Sequence, residues 1–264
     1  MIKLVATDMD GTLLNSRKEL PPDFEAWVTS HPEIRVAIAS GRQYYTLYDN
    51  FGPARERLLY IAENGALVFE SGAVLYRNVM ETPDALECLR VAAGLPGVYP
   101  ILCGVRSAWM VHAPEAVERE AKMYYHRLAF PETLESAVGG DQIVKIALYV
   151  AGYRAEETVS EFRTLEPRLQ PVVSGPDWID VANASVSKGA ALRSIQERYG
   201  IAPEECMGFG DYMNDYALLQ ACGESYAMAN ACDGIRKVAK RLTASNDEDG
   251  VMRVLRTLEH GRGL

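Results

Sequence analysis

The sequence predicts an α/β fold in which a parallel sheet alternates with helices and is interrupted by an inserted α+β domain. Three observations predict it. Five short apolar runs each end in polar residues and lead into a helical pattern, as strands buried on both faces do. The 264 residues suffice for one large domain or two smaller ones, each with its own core. The polar strand ends are also unevenly spaced. Asp10 and Ser40 lie 30 positions apart, but Ser40 and Lys188 lie 148 apart, far more than one strand–helix unit needs.

Taken in order, residues 4–7 (Leu-Val-Ala-Thr) form the first run, closed by Asp8. Residues 34–39 form the second, closed by Ser40-Gly41-Arg42, where Ser40 can cap a helix starting near Gln43. The third, 58–62, precedes Glu63-Asn64-Gly65, where Asn64-Gly65 reads as a turn into a hairpin of 66–69 and 73–76 around Glu70-Ser71-Gly72, with a polar contact at the binding crevice as the alternative. Strand-like and helix-like pieces then alternate: 99–103, 109–111, a helix over 114–128, 143–150, a helix over 155–165, and 178–181. They read as an inserted domain over 81–185 in a core made of 1–80 and 186–264. Ser187 is the N-cap of the next helix, marked by Leu192, Ile195 and Tyr199 and stopped by Gly200. Residues 206–209 lead to Gly210-Asp211, and a short helix with Tyr216, Leu219 and Gln220 ends near Gly223. Residues 225–228 lead to Ala229-Asn230. The acidic turn 246–250 lacks the ligand spacing of a calcium loop and reads as a solvated loop before a last helix carrying Val251, Leu255 and Leu258.

Apolar residues at 48% and charged residues at 24% are ordinary for a soluble globular protein. A net charge of -9 disfavours nucleic acid and anionic membranes as partners. No apolar run approaches the roughly 18 residues of a membrane span. The N-terminus runs into Asp8 too soon to contain a signal peptide. The five cysteines are an odd set without a C-x-x-C pair, which fits scattered thiols in a reducing, cytoplasmic setting. His31, His112, His126 and His260 share no ligand-like spacing.

The polar strand ends would gather along one edge, because the binding crevice of such sheets lies beyond the carboxyl ends of the strands. Asp8 and Asp10 sit two apart, followed by Gly11, which allows a sharp turn. They suit a nucleophile and a general acid, since two close carboxylates push one pKa upward. Capping or surface acids are the plainer alternative. Asp211 and Asp215, with Asn214, suit magnesium, which takes oxygen ligands and keeps several waters. Asp211 is then the direct ligand and Asp215 supports it from behind; alternatively Asp215 only supplies charge to a helix's first turn. Lys188 stands in a first turn, where a cation opposes the helix dipole, so a bound anion gives it a reason to be there. Exposure to solvent is the alternative. Ser40 can offer its hydroxyl and N–H to the same anion, Gly41 permits close approach, and Arg42 either reaches the substrate or stays on the surface. Together these groups suit phosphoryl transfer.

Asp8-Met9-Asp10-Gly11-Thr12-Leu13-Leu14, Ser40-Gly41-Arg42, Val186-Ser187-Lys188-Gly189 and Gly210-Asp211-Tyr212-Met213-Asn214-Asp215 resemble the four motifs of the haloacid dehalogenase superfamily. The closest resemblance is to its Cof-type, subclass IIB phosphatases, which carry a large α/β cap between the second and third motifs. The resemblance implies a Rossmann-like core, Mg²⁺ dependence, a phospho-aspartate intermediate and a small phosphorylated metabolite as substrate, such as a sugar phosphate or phosphorylated cofactor. By similarity Asp8 is nucleophile and metal ligand, and Asp10 is acid and base and lends its backbone carbonyl to the metal. Asp211 is the third protein ligand, and Ser40, Lys188 and Asn214 hold the transferring group. Dehalogenating members lack an acid at the position of Asp10, because halide departs without a proton, so its presence favours phosphate chemistry. A phosphomutase using the same intermediate and a non-catalytic phosphate-binding module are the rival readings.

Overall fold

Leu4–Asp8 (β1) is buried along its whole length, as a strand covered on both faces must be. In the computed structural model, which describes residues 1–260 with side chains through Leu258, this strand is the middle of an eight-stranded sheet. Helix α1 (Phe24–Ser30) leads to β2 (Arg35–Ala39), and α2 (Tyr44–Asp49) to β3 (Leu58–Ala62). The chain then reverses into β4 (Leu67–Glu70), antiparallel to β3, and β5 (Ala73–Arg77). Ser71 and Gly72 join the last two with φ of 46° and 77°, the left-handed pair that a two-residue hairpin demands.

The insertion follows. Helix α3 (Thr82–Ala93) precedes β6 (Val98–Gly104) and β7 (Ala108–Trp109); α4 (Glu115–Tyr124) precedes β8 (Leu128–Ala129). Next come α5 (Leu134–Gly140), β9 (Ile143–Val150), α6 (Ala155–Thr158) continuing as a tighter 3₁₀ turn over Val159–Leu165, β10 (Leu169–Gly175) and β11 (Trp178–Asn183). Six strands pair in the order β10-β11-β9-β6-β7-β8. One face of this second sheet is covered by helices, and the other is covered over part of its width. Ile146, Leu148 and Val150 pack with Ala85, Cys88 and Leu89 of α3, while Ala147 packs with Ile101, Val117 and Ala121.

Three features of the insertion depart from expectation. The helix expected over 114–128 stops at Tyr124 because Leu128 and Ala129 pair with β7. The helix over 155–165 is α-helical only through Thr158. Helix α3 and strand β10 lack a strong pattern in the sequence: α3 buries mostly small Ala and Cys side chains, and β10 is largely half-exposed.

The chain returns through α7 (Lys188–Tyr199), β12 (Cys206–Gly210), α8 (Tyr216–Gln220), β13 (Glu224–Ala227), α9 (Asp233–Val238), β14 (Arg241–Leu242) and α10 (Gly250–His260). Ser187 caps α7, its hydroxyl accepting from the Ala190 N–H at 3.1 Å, and Gly200 ends the helix at φ 61°. The sheet order is β14-β13-β12-β1-β2-β3-β4-β5, with β1 parallel to both β2 and β12. Strands β3, β13 and β14 run the same way, so the carboxyl ends of all six lie on one edge. Packing divides the chain into Met1–Tyr76 with the stretch from Ser187 onward, and Arg77–Val186; the sequence put these joints near 80 and 185.

Among the described residues no helix is long and apolar enough to cross a membrane. All five cysteines are free thiols, four of them buried. His31 is buried and stacks on Trp27, whereas His112 and His126 are exposed; the side chain of His260 lies outside the described residues.

The turn after β3 touches the start of α7. Gly65 has φ +102°, and a Cβ on it would strike the carbonyl of Ser187. Gly72 is left-handed too, but nothing lies within 4 Å of a Cβ there. Gly65→Ala is therefore expected to lower unfolding free energy by about 3 kcal/mol or more, and Gly72→Ala by only about 1–2 kcal/mol. Urea unfolding of the two variants checks the difference.

Candidate active site

Strand β1 ends by delivering Asp8, buried, to the carboxyl edge. The backbone then turns at Gly11, φ +83°, where a Cβ would run into the Asp211 carboxylate. Glycine is what lets the loops after β1 and β12 meet. Thr12 ties them directly: its hydroxyl donates to Asp211 Oδ1 at 2.8 Å. Carboxylate oxygens of Asp8, Asp211 and Asp215 all lie within 4.8 Å of one another, although Asp8 and Asp211 are 203 positions apart in the chain.

Lys188, at the start of α7, has no solvent exposure, so its role is not that of a solvated lysine. Its ammonium donates to Asp8 Oδ1 at 2.5 Å and Asp215 Oδ1 at 2.6 Å. The other oxygen of Asp215 accepts from the N–H groups of Asp211, at 3.0 Å, and Tyr212, at 3.3 Å. Asp215 is thus fully buried and ringed by donors. It holds Lys188 and the Asp211 backbone in place.

Charge decides what the cluster can hold. Three carboxylates against one ammonium leave two formal negative charges uncompensated. Burial, and then the charge of Asp215, push the Asp8 carboxyl up to about 8 in spite of Lys188. Burial also raises Asp211. For Lys188, burial works downward, but Asp215 and Asp8 overcome it and raise its pKa. An oxygen-only donor set with two negative charges to spare fits a hard divalent cation such as Mg²⁺.

Asp10 behaves differently. Its carboxylate faces Arg42, which donates from Nε to Oδ2 at 3.0 Å and from Nη2 to Oδ1 at 2.7 Å, and Lys18, whose Nζ is 2.8 Å from Oδ1. Burial opposes ionisation here, yet Lys18 and Arg42 prevail and hold its pKa below the usual carboxylate value. The upward shift expected from pairing Asp8 with Asp10 has a different source: burial, Asp215 and Asp211 raise Asp8, while Lys18 and Arg42 hold Asp10 down.

A third group gathers around Asn64. Ser40 is buried; its hydroxyl accepts from the Arg42 N–H at 3.2 Å and its carbonyl from the Asn64 N–H at 2.9 Å. It does not cap α2, whose N-cap is Gln43. A Cβ on Gly41 would lie 3.0 Å from the Asn64 side chain, and Asn214 donates to Asn64 Oδ1 at 3.3 Å. Asn64 reads from the sequence as a turn residue and is one, with φ 56°. Its backbone N–H and its side chain together link the loops after β2 and β12. Its place at the end of a parallel strand is the signal that marks it. Thr12 lies inside the first motif, but its bond to Asp211 is not readable from the sequence, and Lys18 carries no comparable mark.

A family model for haloacid dehalogenase-like hydrolases matches residues 5–255. The chain belongs to that family. This haloacid dehalogenase-like hydrolase is 30% identical to the 5-amino-6-(5-phospho-D-ribitylamino)uracil phosphatase YbjI of Escherichia coli, over 98% of this chain and 97% of that one. Its fold matches that of TM0651 from Thermotoga maritima, with a TM-score of 0.87 at 23% identity over 97% of each chain. It also matches the subclass IIB sugar phosphatase BT4131, with a TM-score of 0.77 at 22% identity over 97% of this chain and 99% of that one. Membership in this family of hydrolases, with a phosphatase relative along the whole chain, makes it a phosphoric monoester hydrolase.

In chelator, the folded hydrolase keeps a proton on Asp8 between about pH 4 and pH 8 that the unfolded chain has already lost. The folded state binds more protons across that window, so stability falls as pH rises through it. The opposite contribution of Asp10 is lost only at acid pH, below its ordinary value of 3.8. Unfolding in EDTA is expected to show this decline, and Asp8→Asn to remove most of it.

Proposed function

We propose that this chain is a Mg²⁺-dependent phosphatase of small phosphorylated metabolites, working through a phospho-aspartate on Asp8. The observation that carries the reading is the pairing of Asp8 with Lys188 inside a cluster of acids, while Asp10, two residues on, is held apart by Arg42 and Lys18. One carboxylate is thereby kept for attack and the other for proton transfer. Mg²⁺, held by the carboxylates of Asp8 and Asp211 and the backbone carbonyl of Asp10, would offset phosphate charge and allow Asp8 to stay ionised.

In this reading Lys188, Ser40 with the Gly41 backbone, and Asn214 orient the phosphoryl oxygens. Asp8 attacks phosphorus in line, the bond to the ester oxygen breaks, and Asp10 gives that oxygen its proton. Asp10 then takes a proton from water as the water attacks phosphorus and frees Asp8. To act as an acid Asp10 has to turn from its two cations, which removes what favours its ionised form. Arg42 holds Asp10 in the resting arrangement and lies next to the phosphoryl-binding Ser40. Asp215 keeps Lys188 and Asp211 in position. The inserted domain carries selectivity for the leaving alcohol. The phosphoribityl and sugar phosphates named for the similar proteins support a polyhydroxylated alcohol as the leaving group. The free thiols support a cytoplasmic setting.

Phosphate release from a panel of sugar, polyol and cofactor phosphates tests the proposal. Mg²⁺ should support release of free phosphate rather than an isomeric ester, and EDTA should abolish it. Asp8→Asn should lower kcat by about 10³-fold or more, and Asp10→Asn by about 10²- to 10⁴-fold. Acid quench with ³²P-labelled ester should label the wild type but not Asp8→Asn. Full activity of Asp8→Asn would rule out the covalent route.

A further inference from the structure

Three loops at the carboxyl edge of the larger sheet are joined by side chains outside the four motifs. Asn230, exposed in the loop after β13, donates from Nδ2 to the Gly11 carbonyl at 2.7 Å. Its Oδ1 accepts from the backbone N–H of Asn246 at 3.1 Å. Two residues on, the Cys232 N–H donates to the Asp211 carbonyl at 2.9 Å. One short loop therefore grips both the loop that carries Asp8 and the loop that carries Asp211. The turn at 246–250 backs it. The Asn246 side chain is buried and donates to the Leu14 carbonyl at 2.9 Å. Asp247 accepts from both the N–H and the hydroxyl of Ser16, each at 2.7 Å.

These contacts reach the acid cluster through a rigid unit. The Gly11 carbonyl shares a planar peptide with Thr12, so holding the one orients the other. Thr12 in turn donates its hydroxyl to Asp211 Oδ1 at 2.8 Å. Gly11 itself is the softest point of the loop, left-handed and without a side chain. Its orientation has to come from a neighbour, and Asn230 supplies it.

We propose that Asn230 is a positioning residue that aims the Asp211 carboxylate at a divalent cation through Gly11 and Thr12, with Asn246 holding Asn230 in turn. The proposal rests on the Mg²⁺ reading above. It gives the 246–250 turn a task beyond that of a solvated loop.

Calorimetric titration of Mg²⁺ alone into the metal-stripped protein tests it, with thermal unfolding in EDTA alongside. Groups that orient a metal ligand typically change affinity by about 10- to 100-fold when removed. Asn230→Ala and Thr12→Val should each weaken Mg²⁺ binding by about 10-fold while unfolding in EDTA within a few degrees of the wild type. The double variant should bind no more weakly than the worse single, because both cut the same path. Thr12→Ser, which keeps the hydroxyl, should bind as the wild type does, and Asn230→Ala should lose kcat with KM for the ester retained. Unchanged Mg²⁺ affinity in Asn230→Ala, with or without lost thermal stability, overturns the proposal, as do additive losses in the double variant. If the wild type itself takes up no Mg²⁺, the metal reading fails and this inference fails with it.

Discussion

The buried ammonium of Lys188 is the constraint on which the rest of the site depends. A cation with no access to water is tolerated only where anions surround it, and here Asp8 and Asp215 do so at 2.5 and 2.6 Å. Removing it would leave three carboxylates facing one another in a water-poor pocket. Its own position in turn needs α7 to start where it does, with Ser187 as the cap and Gly65 leaving room for the Ser187 carbonyl. Helix start, turn and charge pair are one arrangement.

The same geometry separates two aspartates that are nearly adjacent in the chain. Strand β1 sends Asp8 inward to Lys188, and the turn at Gly11 leaves Asp10 at the rim among guanidinium and ammonium groups. One carboxyl is driven toward its protonated form and the other toward its ionised form. A divalent cation would reverse the first tendency, because it supplies the charge that Lys188 alone does not. Proton and metal would then compete for the same oxygens, and metal uptake would carry a pH dependence of its own.

Much of this was legible in the residues. The parallel strands announce themselves as short apolar runs that end in acids or hydroxyls, and uneven spacing reveals the inserted domain. Asp215 and Lys188 were each ambiguous in isolation, since a first-turn acid or lysine has ordinary explanations; burial removes those explanations. The contacts of Arg42 and Lys18 with Asp10 were beyond reach, because they depend on how loops fold back over the strand ends. So were the partners of Asn230, a strand-end residue whose contacts Gly11 and Asn246 lie far from it in sequence. Helix α3 escaped for a different reason. Its buried face is built from alanine and cysteine, which give periodicity little contrast.

The pairing of β1 with β12 brings Leu4 beside Cys206. Contacts between such distant parts of a chain close large loops, and their entropy cost slows folding. Asp8 is made some two hundred residues before Asp211, the acid it meets in the folded site. A nascent chain halted before β12 therefore has an edge strand at β1 and no acid cluster. The acid cluster is completed only once β12 has been made, by the same strand that covers that edge.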